Sequence, residues 1–144
     1  MTKHRFLARQ VLWFALLLCM SEAAAAAPSL DGFWLTDDRK GVVQIRRCGA
    51  HLCGRIVEVL DVGPDVPSTD VNNSDPAKRM RPLVGTVVLS GFKEGTRAWS
   101  GGRAYDPKSG KSYRSTLSLN ADGSLKVTGC ILIICRSVRW TRHR

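Results

Sequence analysis

Beyond residue 30 the chain alternates between apolar and polar positions in short runs, and no segment sustains a helical spacing. Stretches rich in Val, Ile, Leu and Tyr recur between clusters of Gly, Asp, Asn and Pro. This period-two pattern is the signature of half-buried strands. It predicts eight strands, at roughly 31–36, 41–48, 53–60, 83–92, 96–105, 111–119, 124–130 and 135–142. Most links are turn sequences, such as Asp37-Asp38-Arg39-Lys40, Asp106-Pro107-Lys108-Ser109-Gly110 and Asn120-Ala121-Asp122-Gly123, whose residues pre-set or tolerate turn dihedrals. Eight hairpin-linked strands imply an all-β, single-domain, antiparallel up-and-down barrel, because closure removes the unpaired edges of an open sheet.

One connection, about 61–82, is too long for a hairpin. Loops beyond ~12–15 residues usually carry function or stay disordered. A short helical turn is expected inside it, with Ser74 or Asp75 as N-cap and Pro76 first, followed by Ala77-Lys78-Arg79-Met80, since an N-cap oxygen and a proline at the first position both suit a helix start. The segment reads either as a lid over one barrel mouth or as a plain surface excursion.

The first thirty residues break the strand pattern. Lys3, Arg5 and Arg9 precede an apolar run from Val11 to Met20, and small residues follow at Ala23 to Ala27. This is the build of a secretory signal peptide, 1–26, with cleavage after Ala25 or Ala26. The apolar run is half the ~20 residues that span a bilayer, so no transmembrane segment is expected after cleavage. Cys19 as a lipoprotein acceptor is disfavoured by Leu18, where a small residue is the rule. The expectation is an exported domain, 27–144, periplasmic or extracellular.

Export changes the meaning of charge and cysteine. Of 22 Lys and Arg, 19 lie beyond residue 26, as do 11 of 12 Asp and Glu, a formal charge of +8. A basic surface favours anionic partners such as lipid headgroups, acidic glycans or acidic proteins. Nucleic acid fits the charge but not the compartment. Cys48, Cys53, Cys130 and Cys135 form two pairs of equal spacing, and an even count in an exported chain argues for two disulfides. Two alternatives stay open: crossed pairing, and a metal site of Cys48, His51 and Cys53.

Placing Cys48 opposite Cys53 continues the ladder through Arg46–Arg55, Ile45–Ile56 and Val43–Glu58, with Val43, Ile45, Ile56 and Leu60 on the apolar face. Placing Cys130 opposite Cys135 pairs Val127 with Val138 and Leu125 with Trp140. Across the Asp106–Gly110 turn, Trp99, Arg103 and Tyr105 share a face with Tyr113, Leu117 and Leu119. Glu58, Trp99, Arg103, Tyr105 and Tyr113 are therefore expected inside. Buried charge is costly without a partner, so this set points either to a pocket for a small ligand or to a structural Arg103–Glu58 pair. Gly101-Gly102 mark a bulge, where a one-residue slip would turn Trp99 outward.

Catalytic motifs are missing. No G-x-S-x-G elbow or H-E-x-x-H helix occurs, and Gly110-Lys111-Ser112 lacks the upstream glycine of a P-loop. His51 has no nucleophile placed near it by the sequence, so a hydrolase or transferase is the minority reading. No cofactor or metal is implied.

The segments DGFWLTDD, RRCGAHLCGRIVEVL, DPAKRMRPLVGTVVLSGF, WSGGRAYDPKSGKSYRSTLSL and GCILIICRSVRWTR resemble the bacterial family called domain of unknown function 2147, over nearly all of the chain after the signal. That resemblance implies a small exported protein and carries over no catalytic residue. Gly32-Phe33-Trp34 is similar to the G-x-W opening of lipocalin-like barrels, and Arg142, on the face of Trp140, corresponds to an arginine over that tryptophan. The second resemblance implies a lipocalin-like (calycin) barrel with Trp34 and Arg142 structural, and the inward polar-aromatic set points to the binding of a small or lipid-like molecule without catalysis. The alternative is an envelope module that meets an anionic polymer or a protein partner through basic residues such as Lys78, Arg79 and Arg81. The chain is short for a lipocalin, so the cavity is expected to be small or filled.

Overall fold

A computed structural model of the chain describes residues 28–144; the expected signal peptide lies outside the described residues. Eight strands form one closed barrel in sequence order: β1 (Gly32–Leu35), β2 (Gly41–Cys48), β3 (His51–Val59), β4 (Val87–Glu94), β5 (Trp99–Asp106), β6 (Lys111–Leu119), β7 (Leu125–Ile131) and β8 (Ile134–Arg142). Every neighbouring pair is antiparallel, including β1 with β8, which closes the ring. The up-and-down order puts the β1–β2, β3–β4, β5–β6 and β7–β8 connections at one end, the mouth. The other turns and the β1–β8 seam's outer end lie at the base.

The core fills the base half. Trp34, Phe92, Trp99, Leu117 and Leu125 are almost wholly buried, as the alternation of β1, β4, β5, β6 and β7 requires. Large rings fit because glycine faces them: a Cβ on Gly102 would lie 2.4 Å from the Phe92 ring. Leu30 is drawn under the base, where its carbonyl accepts a 2.9 Å hydrogen bond from Trp34 Nε1.

Three local registers depart from the simple alternation of the sequence. The β2–β3 hairpin turns in two residues, Gly49-Ala50, so Cys48 opposes His51 and Cys53 opposes Arg46. The disulfide Cys48–Cys53 is thus diagonal across the ladder, with 5.9 Å between Cα atoms. A two-residue slip keeps each side chain on its face, so Ile45 and Ile56 still point inward. A bulge then places Val57 between the pairs Val43–Ile56 and Val42–Glu58. The extra residue inverts the rest of the strand: Val59 packs on the core, while Glu58 and Leu60 are exposed. Third, β5 and β6 pair as Ala104–Tyr113 and Arg103–Arg114, one residue off the expected parity, which sends Arg103 to the outer face. The irregularity between Trp99 and Gly102, with Gly101 at φ +72°, restores the parity, so Trp99 faces inward.

The β7–β8 ladder has no bulge. Cys130 opposes Cys135, Val127 opposes Val138 and Leu125 opposes Trp140, and Cys130–Cys135 is the second disulfide. Both disulfides occupy the thiols, so Cys48, His51 and Cys53 do not form a metal site, and the crossed pairing is not formed.

Candidate functional site

The mouth half of the barrel is hollow. A cavity of about 1110 Å³ opens between the β1–β2 turn, the long β3–β4 connection and the β5–β6 and β7–β8 turns. Val43, Ile56, Leu89, Val127 and Val138 form its wall and Trp140 lies toward its floor. Val138 points inward from mid-strand yet keeps 38% of its surface accessible, because nothing fills the space in front of it. The expectation of a small or filled interior holds for the base half alone.

Charged groups crowd the rim, with Asp37, Asp38, Asp61, Asp65 and Asp106 beside Lys40 and Lys108, while polar groups deeper on the wall are few. Tyr113 and Ser115 project from β6. Arg136 enters from β8 opposite Gly129, whose missing side chain leaves it room. Among the described residues Arg136 is in no ion pair. A cation with free N–H groups beside two hydroxyl-bearing residues, above an apolar floor, suits an anionic group on a largely apolar molecule.

The β3–β4 connection packs against the rim rather than hanging free. Its helical element is a 3-10 turn, Pro76–Lys78, capped by Asp75, whose carboxylate accepts from the Ala77 N–H. Its anchor is Asp70, fully buried. Tyr105 Oη donates to Asp70 Oδ1 at 2.5 Å, and Asn73 Nδ2 and Arg81 Nε donate to Oδ2 at 2.7 and 2.9 Å. Burial works against the Asp70 charge, but the three donors and the Arg81 charge outweigh it and hold the carboxyl below its ordinary range. Burial, and then the Asp70 carboxylate, push the Tyr105 phenol up to about 12. Further along, the loop backbone passes so near Gly110 that a Cβ there would sit 1.8 Å from the Asn72 oxygen. Across the mouth, Lys108 of the β5–β6 turn pairs with Asp38 of the β1–β2 turn, and Lys40 pairs with Asp61.

These placements separate the expected ligand set. Tyr113 is in the cavity wall. Trp99 is inward but sealed in the base core, under the Arg47 guanidinium at 4.9 Å, and its Nε1 is buried without a partner. Tyr105 sits at the rim, held by the loop. Arg103 and Glu58 lie on the outer face, so neither enters the cavity and the internal Arg103–Glu58 pair is not formed. Lys78, Arg79 and Arg81 are occupied within the loop, by Asp75, by the Asn73 carbonyl and by Asp70. His51 lies in the β2–β3 hairpin at the base end. Sequence reasoning missed Arg136, although the Cys130–Cys135 ladder that turns Ser137 and Arg139 outward also turns Arg136 inward.

A family model described as "Uncharacterized protein conserved in bacteria (DUF2147)" matches residues 32–142. Among solved structures, one described as "Protein HP1028 from the human pathogen Helicobacter pylori belongs to the lipocalin family" is similar, with a TM-score of 0.70 and 23% sequence identity. The likeness covers 81% of this chain and 84% of that one, and at that identity it is a likeness of fold. No curated protein matches.

Proposed function

We propose that this chain, which belongs to the DUF2147 family of bacterial proteins, is a non-enzymatic, exported barrel that holds a small lipid-like molecule with an anionic head. The carrying observation is the apolar cavity of about 1110 Å³, at the upper end of the size of small-molecule pockets. Arg136, near the mouth, would take the head through charge-assisted hydrogen bonds, with Tyr113 and Ser115 beside it. The tail would run down past Val127 and Val138 toward Trp140, removing apolar surface from water at ~25 cal/mol per Å². The two disulfides support a compartment outside the cytoplasm.

The test is a titration of the purified protein with fatty acids of increasing length, lysophospholipids and uncharged alkyl alcohols, read by tryptophan emission, with Trp140 as the reporter beside the cavity. Saturable binding that favours the anionic amphiphiles is expected. If no compound changes the emission or raises the melting temperature, the reading is wrong.

A further inference from the structure

The mouth carries a second feature: the β7–β8 hairpin tip borders the cavity, yet most of its apolar surface faces solvent. The tip of the β7–β8 hairpin reads Ile131-Leu132-Ile133-Ile134, with 58%, 95%, 95% and 69% of each residue's surface exposed. A contiguous exposed apolar patch marks an interaction site more often than a fold requirement. The backbone makes the choice more telling. Leu132 opens the two-residue turn at φ +54°, where Gly or Asn would be unstrained and a leucine is not. Neither burial nor turn geometry selects these side chains.

The tip is rigidly presented. Cys130–Cys135 bridges a directly opposed pair just below it, and Ile131 opposes Ile134 beyond the bridge. It is also flanked by unneutralised charge. Arg114 lies opposite Cys130 on one side and opposite Arg103 on the other. Like charges facing each other across a ladder are destabilising, and among the described residues neither is in an ion pair. A surface groove of about 710 Å³ beside the tip is lined by Arg103, Lys111 and Ile131, and also by Lys78 and Arg81, which Asp75 and Asp70 neutralise.

We infer that this hairpin tip docks the protein on an anionic lipid bilayer, with Ile131 to Ile134 dipping into the acyl layer and Arg103, Arg114 and Lys111 meeting the phosphate headgroups. A convex apolar tip ringed by free cations matches a surface that is anionic outside and apolar beneath. The rest of the barrel wall stays in water, because its outer face carries Arg55, Lys126 and Arg139. Docking at this end also brings the cavity mouth to the membrane surface.

The experiment is vesicle co-sedimentation of the intact protein with phosphatidylglycerol-containing and pure phosphatidylcholine vesicles. The wild type should bind the anionic vesicles, more weakly at high salt. The double substitution Leu132→Asn, Ile133→Asn should lower the affinity at least tenfold with an unchanged melting temperature, since both side chains are solvent-exposed and Asn suits the turn. Arg103→Gln with Arg114→Gln should weaken binding severalfold and flatten its salt dependence. Failure of the wild type to sediment with anionic vesicles, or unchanged sedimentation of the tip variant, overturns the inference. So does a lipid-independent dimer, seen by sedimentation velocity, that the tip variant abolishes. Uptake of a soluble amphiphile by the wild type is read separately, so failure here is distinguishable from failure of the cavity reading.

Discussion

The Arg142 guanidinium lies 4.4 Å from the centre of the Trp34 ring, and its Nη1 donates to the Asp31 carbonyl at 2.7 Å. The two residues are cross-strand partners in the β1–β8 seam, which holds just the pairs Trp34–Arg142 and Leu35–Thr141. One side chain therefore ties the last strand to the first where the ladder is shortest.

Arg142→Ala should cost about 1–3 kcal/mol, the sum of a cation–π contact and a hydrogen bond. Arg142→Lys should recover a fraction, since an ammonium neither stacks on the ring nor forks to the Asp31 and Ser29 carbonyls. Gly32→Ala should mimic the loss, because its φ is +131° and a Cβ would lie 2.6 Å from Arg142 Nη1. Urea unfolding with fixed m-value reads all three.

Anion selectivity should follow Arg136. Arg136→Gln is expected to weaken an anionic amphiphile by roughly tenfold or more, in line with the ~1.5–3 kcal/mol of hydrogen bonds to charged groups, and to leave an uncharged alcohol of equal length unchanged. Val138→Trp, which fills the void, should weaken both. Calorimetric titration distinguishes the two patterns.

Loop docking should depend on pH at both extremes. Asp70 is held below its ordinary value, so its contribution is present above the unfolded carboxyl range near 4 and is lost as pH falls through the lower folded value. Tyr105 is raised to about 12, so its contribution is complete below pH ~10 and is lost between there and about 12. Protection factors of the Asp70 and Asn73 amides, taken relative to the intrinsic pH-dependent exchange rate, should fall in both ranges. Tyr105→Phe should remove the alkaline limb and cost about 1–3 kcal/mol, the penalty for leaving a buried group short of a partner. Protection factors that stay constant across both ranges would refute this account.

The disulfides close short loops, so replacing Cys130 and Cys135 together with Ser should cost about 2 kcal/mol, the low end of the usual range. Mass spectrometry of the unreduced digest should show 48 linked to 53 and 130 linked to 135.

The Lys108–Asp38 pair crosses the mouth. An exposed pair of this kind contributes at most ~1 kcal/mol, so Lys108→Ala should speed ligand entry by no more than about fivefold in stopped flow, with little change in melting temperature.

Much of the architecture was legible in the residues. Alternation marks all eight strands, most within a few residues of their bounds. The β4 start is the widest miss, at Val87 rather than 83, because Leu83 bonds back to Ser68 and the chain turns there before joining the sheet. Where a ladder runs without a bulge, as in β7–β8, the opposed cysteines determine every partner. Where one extra residue enters, alternation misleads: Val57 turned Glu58 outward, and the parity of the β5–β6 turn did the same to Arg103. Trp99 kept its inward place because a second irregularity at Gly101 cancelled the first.

By itself, then, the chain determined a barrel of eight antiparallel strands and the cysteine pairs that clip two of its hairpins, since both come from local periodicity and spacing. The tertiary structure decided which polar residues face inward, that Arg136 rather than Arg103 lines the cavity, and that the mouth half is empty. The reason is that a single unpaired residue inverts a strand face, while the void depends on how eight walls meet, and neither is a property of any one segment.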